Sequence, residues 1–328
     1  MRKITLCILT VLLFSGYHSK GQIQPDQLLG GSANDINYLA DGYLRPLGTA
    51  LAEGLNNGWY STAKTHKLGR FDIIATVSIV QIPEVDRTFL VENSKLEQLQ
   101  LVSGTVAEAP TAFGNAGTGP ALEYKAAPGV SSFNLPGGTG FSYIPVPMAK
   151  ISVGLIKNTE VTFRYLPEVT IPRLDDAKLS MQGFGVKHDI LQWIPGGKVL
   201  PFSVSGFFGY TSVDYSQSLG GDKQLLLNST GFTVRALVSK KLLFLTPYVG
   251  FGVNGGGTNI QLRGTFENPL PGGADFVDPL NIDAEDAGGF VGNVGLRFKF
   301  LFVGAVVVDY TFGAYNALTA GLGLSIDF

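Results

Sequence analysis

The sequence predicts an all-β fold, a transmembrane antiparallel β-barrel of about 10–12 strands with a short N-terminal helical segment. Three observations lead to this: an N-terminal export signal, a low content of charged residues, and apolar residues that alternate with small or polar ones along many segments. The expected division is a signal peptide over 1–22, a helical plug or periplasmic cap over 23–70, and the barrel over 71–328.

Composition narrows the class of protein. Charged residues make up 15% of the 328 residues, whereas a soluble globular chain carries roughly a quarter. The formal net charge of −2 leaves no basic excess, so we expect no nucleic-acid partner. After the N-terminus the longest apolar run, Phe300 to Val308, falls short of the roughly 18 residues that a membrane-spanning helix needs. Strands, not helices, would therefore cross the membrane.

The N-terminus has the layout of a cleavable secretory signal. Arg2 and Lys3 precede an apolar run from Ile4 to Phe14, and small or polar residues lead to Gln22. The only cysteine, Cys7, lies in that run and follows Leu6, not the small residue of a lipoprotein cleavage site. We therefore expect a mature chain without thiols, disulfides or thiolate zinc sites. No metal and no cofactor are expected.

An amphipathic helix is expected over 34–56, where apolar residues recur at three- and four-residue spacing. Pro46 is expected to bend or restart it. Its apolar face has two possible partners, the barrel interior, where it would act as a plug, or the periplasmic rim, where it would act as a cap. If it is a plug, the candidate gating residues are Leu47, Leu51, Trp59 and His66.

Period-two alternation is clearest at the C-terminus, where apolar residues at even positions from Leu318 to Phe328 oppose small or polar ones. A soluble β-sandwich alternates too. However, the polar face here is mostly Gly, Ser, Thr and Asn, and Tyr and Trp cluster toward strand ends, as in membrane barrels. The expected strands are about 71–81, 149–156, 160–167, 180–192, 201–214, 230–240, 247–261, 287–300, 302–313 and 316–328.

The connections set the expected topology. Those at 157–160, 193–200, 241–246 and near 301 are short, as periplasmic turns are, whereas 82–148, 215–229 and 262–286 are long and would be extracellular. A further hairpin from Val85–Val91 and Leu96–Val102 would raise the count to twelve. The stretch 104–147 is dense in Gly and Pro, including Pro145-Val146-Pro147, which predicts irregular backbone.

Several charged side chains should face the lumen by strand parity: Arg164, Arg235, Arg297, Lys299, Asp309 and Asp327. If they pair with one another, they fill the interior and the barrel is closed. If they line water, they favour anionic solutes at a constriction. The sequence leaves both alternatives open.

Nothing in the sequence nominates a catalytic residue. His66 and His188 are the only histidines after the signal, and neither has metal-ligand spacing or an identifiable nucleophile nearby. We expect Lys187-His188-Asp189 to have an interfacial or turn-stabilising role. The protein is therefore not expected to be an enzyme.

Three blocks carry a resemblance to a known family, namely GLNNGWYSTAKTHKLGRFD (54–72), PMAKISVGLIKNTEVTFRYLP (147–167) and GFGVKHDILQWIPGGKVLPFSVSGFFGYT (183–211). They resemble an uncharacterised family of outer-membrane β-barrels from Bacteroidota, over most of the mature chain. The resemblance implies a barrel in the outer membrane of a Gram-negative bacterium and carries no activity. In layout alone, the chain is also similar to long-chain fatty-acid channels, which place an N-terminal hatch before fourteen strands.

Two functional classes follow from these expectations. The first is a porin-like gated channel or transporter for a small or hydrophobic solute. The alternative is a non-conducting barrel that serves as an envelope scaffold or a partner of secretion machinery. Either would be embedded in outer-membrane lipid and assembled by the barrel assembly machinery through the strand that ends at Phe328.

Overall fold

Ten antiparallel strands close a barrel in the computed structural model, which describes residues 31–130, 132–171, 176–267, 274–301 and 303–326. The predicted signal peptide, Asp327 and Phe328 lie outside the described residues. Each strand pairs with its neighbours in the chain, and the first pairs with the last. The strands are β1 (Phe71–Gln81), β2 (Tyr143–Gly154), β3 (Thr159–Thr170), β4 (Lys178–Asp189), β5 (Ser203–Gly220), β6 (Lys223–Ser239), β7 (Leu245–Arg263), β8 (Leu280–Phe300), β9 (Gly304–Phe312) and β10 (Ala317–Ile326).

The alternation of apolar and small residues explains why the strands form a closed barrel. Where β1 pairs with β10, Ile73 lies opposite Leu324 and both face outward, while Thr76 lies opposite Gly321 and faces inward. The outward set forms an exposed apolar belt, which includes Phe163, Phe208, Phe232, Phe251, Phe290, Leu296, Val308 and Leu322. Such a belt is stable in lipid and not in water. The prediction of a transmembrane β-barrel is confirmed, with ten strands.

Two predicted features of the long connections were wrong. The stretch 215–229 is not a loop, because β5 and β6 continue to a two-residue turn at 221–222. Their outward residues become polar there, as in the hydrogen bond from Asn228 to Asp214, so the apolar signal ends although the ladder continues. The segments 85–91 and 96–102 add no barrel hairpin. They contribute strands 88–92 and 99–101 to two small sheets over the long-loop mouth, with 106–110, 121–124 and 132–134.

The helix α1 (Ala33–Leu55) lies inside the barrel, not at its rim. It begins with a capping box, in which Ser32 and Asp35 bond each other's backbone. Its first turns lie at the long-loop mouth, where the backbone N–H of Asn281 donates to Asn37. Of the two expected effects of Pro46, a bend or a restart, the restart does not occur, because the helix is continuous through this residue. No helix of the described ranges is long and apolar enough to span a membrane.

Two apolar clusters anchor α1. Near the mouth, Ile36, Leu39 and Tyr43 pack with Leu99, Leu122 and Ile260. Further down, Ala50 and Leu55 pack with wall residues that include Val80, Val146 and Met148, and Leu47 and Leu51 join this second cluster. After α1, residues 56–70 descend to the short-turn end and enter β1, where Gly69 donates to the carbonyl of Gly154. The N-terminal segment therefore traverses the lumen from the long-loop mouth to the short-turn end.

Candidate functional site

Arg164 holds the middle of the N-terminal segment to the wall. Its Nη1 donates to the carbonyl oxygen of Leu55 at 2.6 Å and to Thr211 Oγ1 at 3.0 Å, and its Nη2 donates to the carbonyl of Asn57. Its guanidinium carbon lies 3.6 Å from the ring centroid of Trp59. Both side chains are buried. A cationic side chain thus seals the end of α1 against β3.

A second cation closes the far side of the lumen. Arg235 donates to Asn254 Oδ1 at 3.0 Å and to Asn293 Oδ1 at 3.2 Å. Asn254 in turn donates to Glu53 of α1 at 2.8 Å, and the hydroxyl of Tyr60 donates to Asn293 at 2.7 Å. Two of these four contacts join wall strands to each other, and the other two join the wall to the N-terminal segment. Separately, Asp309 accepts from the Tyr248 hydroxyl at 2.9 Å.

Ion pairs close the short-turn end. His66 Nε2 lies 3.1 Å from Asp72 Oδ2, and Arg297 Nη1 lies 3.7 Å from the same oxygen. Lys187 Nζ lies 2.8 Å from Glu160 Oε1, whose other oxygen accepts from the backbone N–H of His66 at 2.9 Å. All five side chains are buried. Buried charges of both signs are therefore neutralised around residues 61–66, as charges in a low-dielectric interior must be.

The structure brings most of the sequence-predicted site residues together. Arg164, Arg235, Arg297 and Asp309 face the interior, where they contact the N-terminal segment or other wall side chains. Lys299 faces inward at the short-turn end and is half-buried. Trp59 and His66 are fully enclosed, and Leu47 and Leu51 pack against the wall. Asp327 lies outside the described residues.

Sequence reasoning missed four inward charges: Asp72, Lys150, Glu160 and Lys187. Parity would have found Lys150, because it lies between the outward Ala149 and Ile151 and donates to the Trp59 carbonyl at 2.6 Å. Lys187 is not part of the turn, contrary to expectation. His188, near the end of β4, does support the turn. Its Nε2 accepts from Trp193 Nε1 at 2.9 Å, and its Nδ1 lies 2.9 Å from Thr159 Oγ1.

The seam between β2 and β3 differs from every other seam of the described barrel. The two strands pair over only four positions, from Ile151–Phe163 to Gly154–Glu160, although β2 extends to Tyr143 and β3 to Thr170. On its other side, β2 pairs with β1 along its whole length without a register shift. From Ile151 and Phe163 toward the long-loop mouth, β2 and β3 are therefore not paired with each other.

Three prolines explain this opening. The N–H of Leu155 donates to the carbonyl of Thr159 on β3, whereas the N–H of Gly154 donates to the carbonyl of Arg70, just before β1. Because backbone groups of successive strand residues point to opposite sides, the odd-numbered residues of β2 direct theirs toward β3. Pro145 and Pro147 are in that odd-numbered set and have no N–H to donate. On β3, Thr159 faces β2, and Pro167 lies at the register shift between Leu166 and Val169 in the pairing of β3 with β4. The prediction of irregular backbone at 145–147 was wrong, because a strand tolerates proline where its N–H edge is unpaired.

An apolar cavity of about 310 Å³ lies behind the seam. Among the described residues that line it, no side chain is charged, and the polar side chains are those of Ser229, Tyr165 and Tyr215. The rest of the lining is apolar: Leu51, Leu55, Pro145, Val146, Pro147, Met148, Ala149, Leu166, Leu179, Met181, Val213 and Leu227. The volume is at the small end of the range for ligand sites, about 300–1,000 Å³.

A larger and more polar groove of about 730 Å³ lies at the long-loop mouth between α1 and the loop after β1. It contains the ion pair of Arg45 and Asp41, with 2.7 Å between Nη2 and Oδ2. At its edge, burial raises the pKa of the Tyr315 hydroxyl above its ordinary value, with a further contribution from Asp86, so Tyr315 stays neutral. We regard the smaller cavity as the candidate site because it reaches the lipid-facing wall.

The model of a sequence family matches residues 1–326, which is nearly the whole chain. The protein belongs to the Family of unknown function (DUF6588). A comparison with curated proteins gave no match. The DUF6588 assignment agrees with the resemblance seen in the sequence blocks at the level of an uncharacterised family.

Solved structures similar to this DUF6588 member are bacterial β-barrels. Ail, the attachment invasion locus protein of Yersinia pestis, is 8% identical and aligns over 79% of this chain and 97% of that one, with a TM-score of 0.27. The translocator domain of the autotransporter NalP from Neisseria meningitidis is 14% identical over 85% and 92%, with a TM-score of 0.29. The Pseudomonas putida toluene transporter TodX is 8% identical over 85% and 98%, with a TM-score of 0.24. These likenesses concern the fold alone.

Proposed function

We propose that this outer-membrane β-barrel protein binds a small, uncharged hydrophobic solute behind the β2–β3 seam and passes it through a gate formed by residues 56–70. The apolar, uncharged cavity carries this proposal. A water-filled pore is not supported, because α1 and residues 56–70 occupy the lumen and bond its polar wall groups. The solute would be apolar because a charged group meets no counter-charge among the described lining residues.

The gate is assigned to residues 56–70 because they lie between the cavity and the short-turn end. Leu55 lines the cavity, and Arg164 holds its carbonyl directly below. Any solute that continues toward the periplasm must displace Trp59 and the contacts beneath it. The N-terminal segment would therefore act as plug and gate together.

Photolabelling with an uncharged trifluoromethyl phenyl diazirine tests solute binding, with the protein in lipid nanodiscs. We expect labelling of the inward-facing Leu51 and Leu227 that excess decane suppresses. In Val213→Trp, whose new ring fills the cavity, this labelling should fall at least about fivefold, which corresponds to about 1 kcal/mol of binding. The matched control is Val234→Trp, since Val234 lies on the outward face and is 46% exposed. Absence of interior labelling in the wild-type protein would contradict the proposal.

A non-conducting scaffold is the second candidate, and the density of contacts between the N-terminal segment and the wall favours it. His66, Asp72, Glu160, Lys187 and Arg297 form a closed network that a permanently filled barrel would also need. This candidate gains support if neither Leu51 nor Leu227 is labelled and deletion of the segment produces no conductance. In neither candidate do we assign an enzymatic activity.

A further inference from the structure

We propose that the β2–β3 seam is a lateral opening through which the solute enters the cavity from the hydrocarbon region of the membrane. This inference rests on the proposed function and names the route to the same cavity. Three features of the structure support it: the height of the seam in the barrel wall, the apolar path from the outer face to α1, and the prolines on the edges of the seam.

The seam opens at the height of the apolar belt. Pro145, Pro147 and Ala149 lie opposite Ile79, Val77 and Ala75 of β1. On the other side of β1, the same residues pair with Leu318, Ala320 and Leu322. All of these belong to the outward apolar set, and Leu322 is 65% exposed. On its β2 side the opening is therefore bordered by apolar residues that face lipid, while Glu168 next to Pro167 pairs with Lys178 at 3.0 Å on the β3 side.

The cavity reaches the outer face through this opening. Its lining includes both inward residues, such as Leu51 and Leu227, and residues of the outward set, such as Pro147 and Tyr165. Tyr165, at the edge of β3, is 74% exposed. A continuous apolar path therefore joins the lipid-facing surface to the face of α1.

The prolines make an open edge tolerable in lipid. An unpaired backbone group in the hydrocarbon region is costly, which is why open sheet edges are excluded there in general. Pro145, Pro147 and Pro167 remove three N–H donors that an unzipped seam would otherwise leave without acceptors. If the register of Ile151 with Phe163 is continued, Pro147 would face Pro167. The two edges thus cannot form a regular ladder at this level.

Aqueous access to the cavity is closed at the short-turn end. At the mouth, the N-terminal half of α1 packs against residues of the loop after β1, including Leu99 and Leu122. Toward the short-turn end, Arg164, Trp59 and the buried ion pairs fill the lumen. The seam gives the cavity an apolar route to the outer face, and a polar pocket of about 250 Å³ borders the cavity at Leu179, Tyr215 and Leu227.

The test is a bridge across the seam. The double variant Pro147→Cys/Pro167→Cys is made in the mature chain, which lacks Cys7. Its two thiols are joined with a flexible bismaleimide in nanodiscs, and mass spectrometry verifies the bridge. Phenyl diazirine is then added, and the initial rate of Leu51 and Leu227 labelling is followed. We expect the bridged protein to label at least about tenfold more slowly than the unbridged one, a change of about 1.4 kcal/mol in the barrier.

Two further variants make the result decisive. The same bridge across a closed seam, in Val186→Cys/Phe208→Cys, where the two outward residues are paired, should leave the labelling rate unchanged. Pro145→Val/Pro147→Val/Pro167→Val restores three donors and should slow labelling without any reagent. Equal interior labelling in bridged, unbridged and valine proteins would overturn the lateral route and leave the mouth groove as the access, with solute binding intact. No interior labelling in any protein would instead contradict the proposed function itself.

Discussion

The guanidinium of Arg164 lies over the ring of Trp59, with 3.6 Å between the guanidinium carbon and the ring centroid. This contact joins a barrel strand to the segment that fills the barrel. It also lies directly below the apolar cavity, since Leu55, whose carbonyl Arg164 binds, lines that cavity. The contact therefore marks the boundary between the proposed solute site and the sealed half of the lumen.

Replacement of Arg164 should loosen the segment. Arg164→Gln removes the stacked cation and leaves the carbonyls of Leu55 and Asn57 without their donors. We expect the free energy of unfolding in liposomes to fall by about 2–4 kcal/mol. The control is Lys64→Gln, an exposed position on the same segment, with an expected change within about 0.5 kcal/mol. Equal unfolding profiles for the two variants would contradict the role assigned to Arg164.

The space for Trp59 depends on Gly209 and Gly185 of the wall, since a Cβ at Gly185 would lie 3.1 Å from Trp59 Cζ3. A Cβ at Gly209 would lie 2.8 Å from Trp59 Cε2 and 2.9 Å from Phe207 Cε1. Gly209→Ala should therefore destabilise the protein by about 1–3 kcal/mol through overpacking. Gly206→Ala on the same strand is the matched control, because its Cβ would meet only Ile190 Cδ1, at 3.7 Å. Denaturant unfolding followed by Trp fluorescence measures both, and a neutral Gly209→Ala would show that Trp59 is not tightly enclosed.

Glu160 and Lys187 should be strongly coupled. Their ion pair is buried, with 2.8 Å between Nζ and Oε1. Removal of one partner leaves a buried charge, so Glu160→Gln and Lys187→Met should each cost about 3–5 kcal/mol, while the double variant should cost less than their sum. A double-mutant cycle from urea unfolding in liposomes measures this coupling. Additive costs would mean that the two side chains do not interact in the folded protein.

His188 should support a turn and not a reaction. Its ring accepts from Trp193 and contacts Thr159, which ties the turn after β4 to the start of β3. His188→Ala should lower stability by about 1–2 kcal/mol. Ester and peptide hydrolysis in detergent should stay at background for both the wild-type and the variant protein. Hydrolysis by the wild-type protein that His188→Ala abolishes would contradict the proposal that the protein is not an enzyme.

Alternation of side chains was sufficient to predict the barrel, its strand order and most strand positions. The predicted strand 71–81 coincides with β1, because both of its faces keep their character along its whole length. The prediction of strand ends failed where the outward side chains become polar, as at Asp214 and Asn228. It also failed at the start of β2, because Pro145 and Pro147 are residues typical of loops. In both places the ladder continues although the local pattern does not.

The candidate site could be predicted only in part. Parity places Arg164, Arg235 and Arg297 inward, but whether they meet water or protein depends on where α1 packs, which is a tertiary contact. The seam was not predictable from Pro145 and Pro147 alone, since the same prolines suit a loop. Whether these prolines interrupt a strand depends on which neighbouring strand their nitrogen atoms point toward, and this follows from the register of β2 with β1.

Planar-bilayer conductance of the wild-type protein and of a variant lacking residues 23–68 tests the central claim, that the N-terminal segment seals the lumen. We expect no conductance steps for the intact protein and clear steps for the deletion variant. Those steps should favour anions, because the five buried cationic side chains of the described wall, Arg164, Arg235, Arg297, Lys150 and Lys187, outnumber its three buried carboxylates, Asp72, Glu160 and Asp309. A deletion variant that leaves the bilayer as tight as the intact protein does would contradict the account.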